Sequence, residues 1–102
     1  MAQLTIVYWR DIPAQVIVKQ GRMVAKRQLS DRFQEAIDRC AMKVGARDTD
    51  AYLAEWRRGQ PIAVEGGAEE LAAAEASRLE QEFDKEHFKT LIANGGWLKA
   101  QA

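Results

Sequence analysis

The rhythm of apolar and polar positions changes once, near residue 30. From Gln3 to Trp9 the run "QLTIVYW" alternates imperfectly and is rich in β-branched and aromatic residues, which predicts a first strand. Arg10 to Pro13 predicts the turn. Pro13 restricts Ile12 to extended backbone, so the chain re-enters a strand at once. "AQVIVKQ" sets Val16 and Val18 on one side and Gln15, Ile17 and Lys19 on the other, a second strand. Gly21 adopts a positive φ cheaply and predicts a tight turn at 20–22. "MVAKRQL" reads as a third strand, since a two-stranded hairpin alone is marginal.

Beyond residue 30 the period becomes helical. Ser30 predicts an N-cap, and Asp31 places a negative charge at the free amides of a first turn. Phe33, Ile37, Cys40, Ala41 and Val44 form one apolar stripe, with Gly45 as the stop. A shorter helix is expected from Asp48 or Thr49 through "DAYLAEWRR", burying Tyr52, Leu53 and Trp56 and ending at Gly59. Ile62 and Val64 are compatible with a short edge strand. After Gly66 and Gly67 one long helix is expected over 68–93. Ala68, Ala72, Ala76, Leu79 and Phe83 lie on one face, continued with some drift by Phe88, Leu91 and Ile92. "NGGW" at 94–97 is expected to cap it, Trp97 and Leu98 to fold back, and 99–102 to be a tail. The fold class that buries both strands and stripes most simply is α+β: a small three-stranded antiparallel sheet, with room for a short fourth strand, covered on one face by two or three helices. Residues 1–98 are expected to form a single domain.

Charge changes this picture little. Fifteen basic residues balance fifteen acidic ones, but residues 1–60 carry a net +4 and residues 61–102 a net −4. That asymmetry suits self-association or an acidic partner, or only a well-solvated last helix. Cys40 is the single cysteine, which excludes an internal disulfide. "MAQLTIVYWR" lacks the basic start and apolar core of a secretion signal, and no stretch is apolar over the length of a membrane span, as expected of a cytoplasmic protein.

Candidate chemistry is sparse. His87 and Cys40 are each alone of their type, and the CxxC, HExxH and EF-hand spacings are absent, so no metal site is expected. No serine–histidine–acid arrangement follows from spacing, and the glycines match no phosphate loop. Gly66 and Gly67 precede a helix, but Glu65, Glu69 and Glu70 would repel an anion there. Lys19, Arg22, Lys26, Arg27 and Arg32 cluster, and Tyr8 and Trp9 are able to stack on bases; with zero net charge, nucleic acid is the least favoured ligand. The stretch "YWRD" holds the best candidates. Tyr8 and Trp9 face opposite sides of a strand, and Arg10 and Asp11 follow at its end. Arg10 suits a carboxylate or phosphate, and Asp11 suits orienting it or accepting a proton. Arg27 and Arg32 are candidates to complete such a pocket. The alternative is a packed aromatic beside a surface turn. A second candidate is Trp56, Arg57 and Arg58, an interface able to meet the acidic C-terminal helix of another copy.

"YWRDIPAQV", "LSDRFQEAIDRCAMKVG" and "TDAYLAEWRR", in that order, resemble the small bacterial domain family catalogued as virulence factor. The resemblance covers roughly residues 4–65. It extends to the C-terminal part of the conserved virulence factor C proteins of staphylococci and to stand-alone proteobacterial forms. It carries over no catalytic residues. The stand-alone forms lie beside genes of corrinoid- and folate-linked methyl transfer. The resemblance therefore implies an accessory protein of one-carbon metabolism, partnered by a methyltransferase, a reductase or a corrinoid protein. No cofactor is expected from the residues themselves; a folate or corrinoid association comes from that neighbourhood alone. Three functions follow in order of support: a non-catalytic binding domain, a small enzyme or cofactor-handling protein using the Tyr8–Asp11 region, and a nucleic-acid binder.

Overall fold

The computed structural model describes residues 2–45 and 49–97. The chain forms an antiparallel sheet with helices packed on one face. Strand β1 (Ala2–Trp9) is its centre. It pairs with β2 (Ile12–Gln20), which pairs with β3 (Met23–Gln28), as local turns at Arg10–Asp11 and Gly21–Arg22 require. The register shifts between Val7 and Tyr8, where β2 carries Ala14 as an extra residue. The other edge of β1 is covered by two short strands. β5 (Ile62–Val64) pairs with Ala2–Leu4, and β4 (Trp56–Arg58) pairs with Val7–Trp9.

The expected fourth strand is therefore present at 62–64, and a further one lies where a helix was expected. Helix α2 covers only Thr49–Ala54. Trp56, Arg57 and Arg58 leave it because β1 offers an open edge: the Arg10 amide donates to the Glu55 carbonyl (3.1 Å), and Arg57 lies opposite Tyr8. Pairing and side-chain contact outweigh a helix preference of a few tenths of a kcal/mol per residue. Gly59 is thus no helix stop. It lies between β4 and β5, its amide donates to the Ile6 carbonyl (2.8 Å), and an added Cβ would sit 3.0 Å from the Tyr8 ring.

Helix α1 (Asp31–Val44) buries Phe33, Ala36, Ile37, Cys40 and Ala41, while Val44, at the end of the expected stripe, is exposed. Gly45 closes it in the left-handed conformation. Ser30 occupies the N-cap position but caps nothing with its side chain. Its hydroxyl donates to Glu80 Oε1 and its amide to Glu80 Oε2, each at 2.7 Å.

The expected helix over 68–93 is two helices, α3 (Ala68–Glu82) and α4 (Lys85–Ala93). Phe83 leaves helical geometry, and Asp84 caps α4 by accepting from the His87 amide at 2.8 Å. The break lets Phe83 and Phe88, five residues apart, both reach Phe33, at ring distances of 5.8 and 4.9 Å. An unbroken helix would set them about 140° apart, outside one stripe. α3 lies across β2 and β3 on Ala68, Ala72 and Leu79, whose small leading side chains let helix and sheet approach closely. The core joins Leu4, Ile6, Val16 and Val18 to the buried faces of α1, α3 and α4.

The joint between α1 and α3 is polar and pH-sensitive. Arg32 donates to the Phe83 and Glu80 carbonyls and pairs with the Glu80 carboxylate (3.1 Å). Burial alone would raise the Glu80 pKa. Hydrogen bonds from the Ser30 hydroxyl and amide and from Arg32 outweigh it and hold the group below its ordinary 4.5. A depressed carboxylate stabilises the fold above its unfolded pKa and loses that contribution as pH falls through the folded value. Glu80→Gln should therefore lower the urea midpoint at pH 7. The gap to the native protein should close as pH falls from 4.5 downward. A gap unchanged at pH 3 would show that charge at Glu80 does not matter.

Candidate functional site

The turn between β1 and β2 is a knot of cations, carboxylates and aromatic rings. Arg10 sits at φ 55°, a left-handed backbone that costs a non-glycine residue about 1 kcal/mol. Its side chain offsets that cost. Nη1 donates to the Gly95 carbonyl (2.6 Å), Nη2 donates to Glu55 Oε1 (3.4 Å), and Nε lies 3.4 Å from Glu55 Oε2. The guanidinium lies 5.3 Å from the Trp9 ring centre and 5.4 Å from that of Trp97. The Asp11 amide donates to the Gly96 carbonyl (2.8 Å). From β4, Arg57 Nε donates to the Arg10 carbonyl (2.9 Å), and Nη2 pairs with Asp11 Oδ1 (2.7 Å). The same guanidinium covers the Tyr8 ring at 4.6 Å.

Trp9 is fully buried, and its indole donates to the Tyr52 carbonyl at 2.9 Å. Tyr8 is half-buried, and burial raises its pKa against the opposing pull of Arg57. The two candidate stretches thus meet: Tyr8, Trp9, Arg10 and Asp11 lie against Arg57, and Trp56 stands opposite Trp9 in the sheet. Arg58 stands apart, exposed beside Gln3, Thr5, Ile17 and Lys19. Arg27 is exposed on the edge strand β3, opposite Val16, and Arg32 is held at the α1–α3 joint. Neither lines the space beside Tyr8. That cleft, about 360 Å³, is lined instead by Asp11, Arg57, Arg78, Glu82 and His87. Arg78 is already paired with Glu75 and with Glu82. His87 stacks on Phe83 at 4.3 Å. Spacing alone gives His87 no partner and does not single out Arg78; the packing of α3 and α4 beside β1 brings both to Tyr8.

A larger concavity lies elsewhere, between α1 and α4. It encloses about 870 Å³ and is floored by Ala36, Phe88, Ile92 and Ala93. Its rims carry Arg39 and Lys43 from α1, and Lys85 and Lys89 from α4. All four are exposed and make no ion pair among the described residues. The arginines of the turn are spent inside the protein, and Arg39, Lys43, Lys85 and Lys89 are not.

The described residues contain no cluster of three or more His, Cys, Asp or Glu able to hold a metal ion. No helix among them is long and apolar enough to cross a membrane. Against known families, residues 7–92 match the model described as Virulence factor. The chain belongs to that family. No curated protein matches the chain, and no solved structure does. The family match runs from Val7 through α3 to Ile92, well past the resemblance at 4–65. The matched span therefore includes the Ala/Glu-rich segment after Gly67 as far as Ile92. The match covers Tyr8–Asp11 and Trp56–Arg58 of the turn knot and the groove lining as far as Ile92, while Ala93, Gly95, Gly96 and Trp97 lie beyond it.

Proposed function

We propose that this protein is a non-catalytic binding domain that docks a partner protein in the groove between α1 and α4. One observation carries the reading: four unpaired cations line an apolar-floored groove, while the arginines of the turn are consumed in internal bonds. Trp9 and Arg10 then act as framework rather than as anchors. The resemblance to stand-alone relatives, which lie beside genes of corrinoid- and folate-linked methyl transfer, supports a place in that chemistry. The partner is then a methyltransferase, a reductase or a corrinoid protein.

The test is isolation of the tagged protein from its host at low salt, with native mass spectrometry of what accompanies it. Arg39→Glu with Lys89→Glu avoids the helix ends, where charge reversal would disturb the helix itself. It should reduce recovery of a stoichiometric partner by about tenfold or more. Lys19→Glu with Lys26→Glu changes net charge equally outside the groove and should leave recovery intact. Equal loss in both would reduce the effect to general electrostatics.

A second reading rests on the cleft beside Tyr8, where a phenol, a carboxylate, an imidazole and an arginine converge. It makes the protein a small cofactor-handling protein. A small molecule bound without any protein partner, and lost in Tyr8→Phe, would favour it.

A further inference from the structure

From the two rims of the α1–α4 groove we infer that its occupant is an acidic amphipathic helix of the partner. The inference rests on the binding-domain reading above and goes on to specify the partner's chemistry. Arg39 and Lys43 are four residues apart on α1, and Lys85 and Lys89 are four apart on α4. Residues at that spacing are neighbours on a helix, so each rim sets two cations side by side, an arrangement that costs a few tenths of a kcal/mol where no carboxylate offsets it. Elsewhere the protein does the opposite at the same spacing. Arg78 on α3 is bracketed by Glu75 and Glu82, three and four residues away. Glu35, four residues before Arg39, and Glu86, three before Lys89, also line the groove, but neither makes an ion pair with a rim cation among the described residues. The net charge of the lining, Arg32 included, remains positive.

The shape narrows the ligand. Two cationic rows flank a central apolar floor of Ala36, Phe88, Ile92 and Ala93. A complementary segment must present one apolar row between two acidic rows. A helix does so with apolar residues at i, i+3, i+4 and i+7 and carboxylates on both flanks. A strand offers only two opposed faces and cannot place three rows against one groove. Along a helix, residues four apart rise by about 6 Å, so carboxylates at i and i+4 keep step with the cations of either rim. The ligand class is therefore an anionic helix with a narrow apolar stripe.

The test uses the full chain and a fluorescein-labelled designed peptide of about 18 residues, five helical turns. The peptide carries leucines at i, i+3, i+4 and i+7 and glutamates on both flanks. A second peptide has the same composition with the stripe scrambled. Anisotropy should show the designed helix binding at least about tenfold more tightly than the scrambled one, and binding should weaken as salt rises. Amide shifts should move in residues 35–43 and 85–93. Arg39→Glu with Lys89→Glu should abolish the difference between the peptides. Equal binding of both peptides, shifts mapped elsewhere, or no binding up to about 1 mM would overturn the helical occupant. If the peptides fail but the native partner still depends on Arg39 and Lys89, the binding-domain reading stands and only the helix is wrong. If the native partner ignores both residues as well, the two readings fall together.

Discussion

Trp9→Ala is expected to lower the free energy of unfolding by about 3–5 kcal/mol, the cost of emptying a large buried site. Trp9 is fully buried, packs at 5.9 Å from the Tyr52 ring, and gives its indole proton to the Tyr52 carbonyl. Truncation leaves a cavity, an unsatisfied carbonyl and a guanidinium without one of its two aromatic faces. A domain of this size has about 5–15 kcal/mol in total, so the variant should be marginal at room temperature. Urea denaturation followed by circular dichroism measures it. Trp9→Phe keeps most of the packing and loses the hydrogen bond, so it should fall between the two. A near-neutral Trp9→Ala would mean that the turn knot does not rest on this ring.

Arg10→Met is expected to cost about 2–3 kcal/mol, below the full loss for a buried pair because the Arg10 side chain keeps 17% of its exposure. Methionine keeps an apolar stem between Trp9 and Trp97 but leaves Glu55 and the Gly95 carbonyl without their donor. Arg10→Lys restores the charge without the planar fork and should recover only part of the loss. Both variants should retain partner recovery at a temperature where they are folded, because the groove lies on other residues. Loss of the partner in a folded Arg10→Lys protein would return the binding site to the turn. The two variants therefore separate framework from interface at Arg10.

The first three strands were legible because their signals are local: alternation, a proline that keeps Ile12 extended, and Gly21 at a turn. The stripe of α1 was legible for the same reason. The strand at Trp56–Arg58 was not, because what makes it a strand is the free edge of β1, some 47 residues earlier in the chain. The division between α3 and α4 left one trace, the interval of five between Phe83 and Phe88, with Asp84 as an unrecognised cap. At the turn, residue types pointed to a dense cluster of interactions but not to its partners. Arg10 was read as a ligand-binding fork, and its fork is turned inward onto Gly95 and Glu55. The groove escaped notice because its floor and rims come from helices separated by half the chain.

The bonds that close the β1–β2 turn also set an order in time. Arg10 and Asp11 are fastened by the carbonyls of Gly95 and Gly96, and 85 residues separate Arg10 from Gly95. At a synthesis rate of about 5–20 residues per second, the hairpin waits roughly 4–17 s for its clasp to be made. For most of that interval α3, which covers the face formed by Leu4, Ile6, Val16 and Val18, has yet to be made. The sheet's apolar face thus stays open until α3 is made, and the turn is fastened only after that cover is complete.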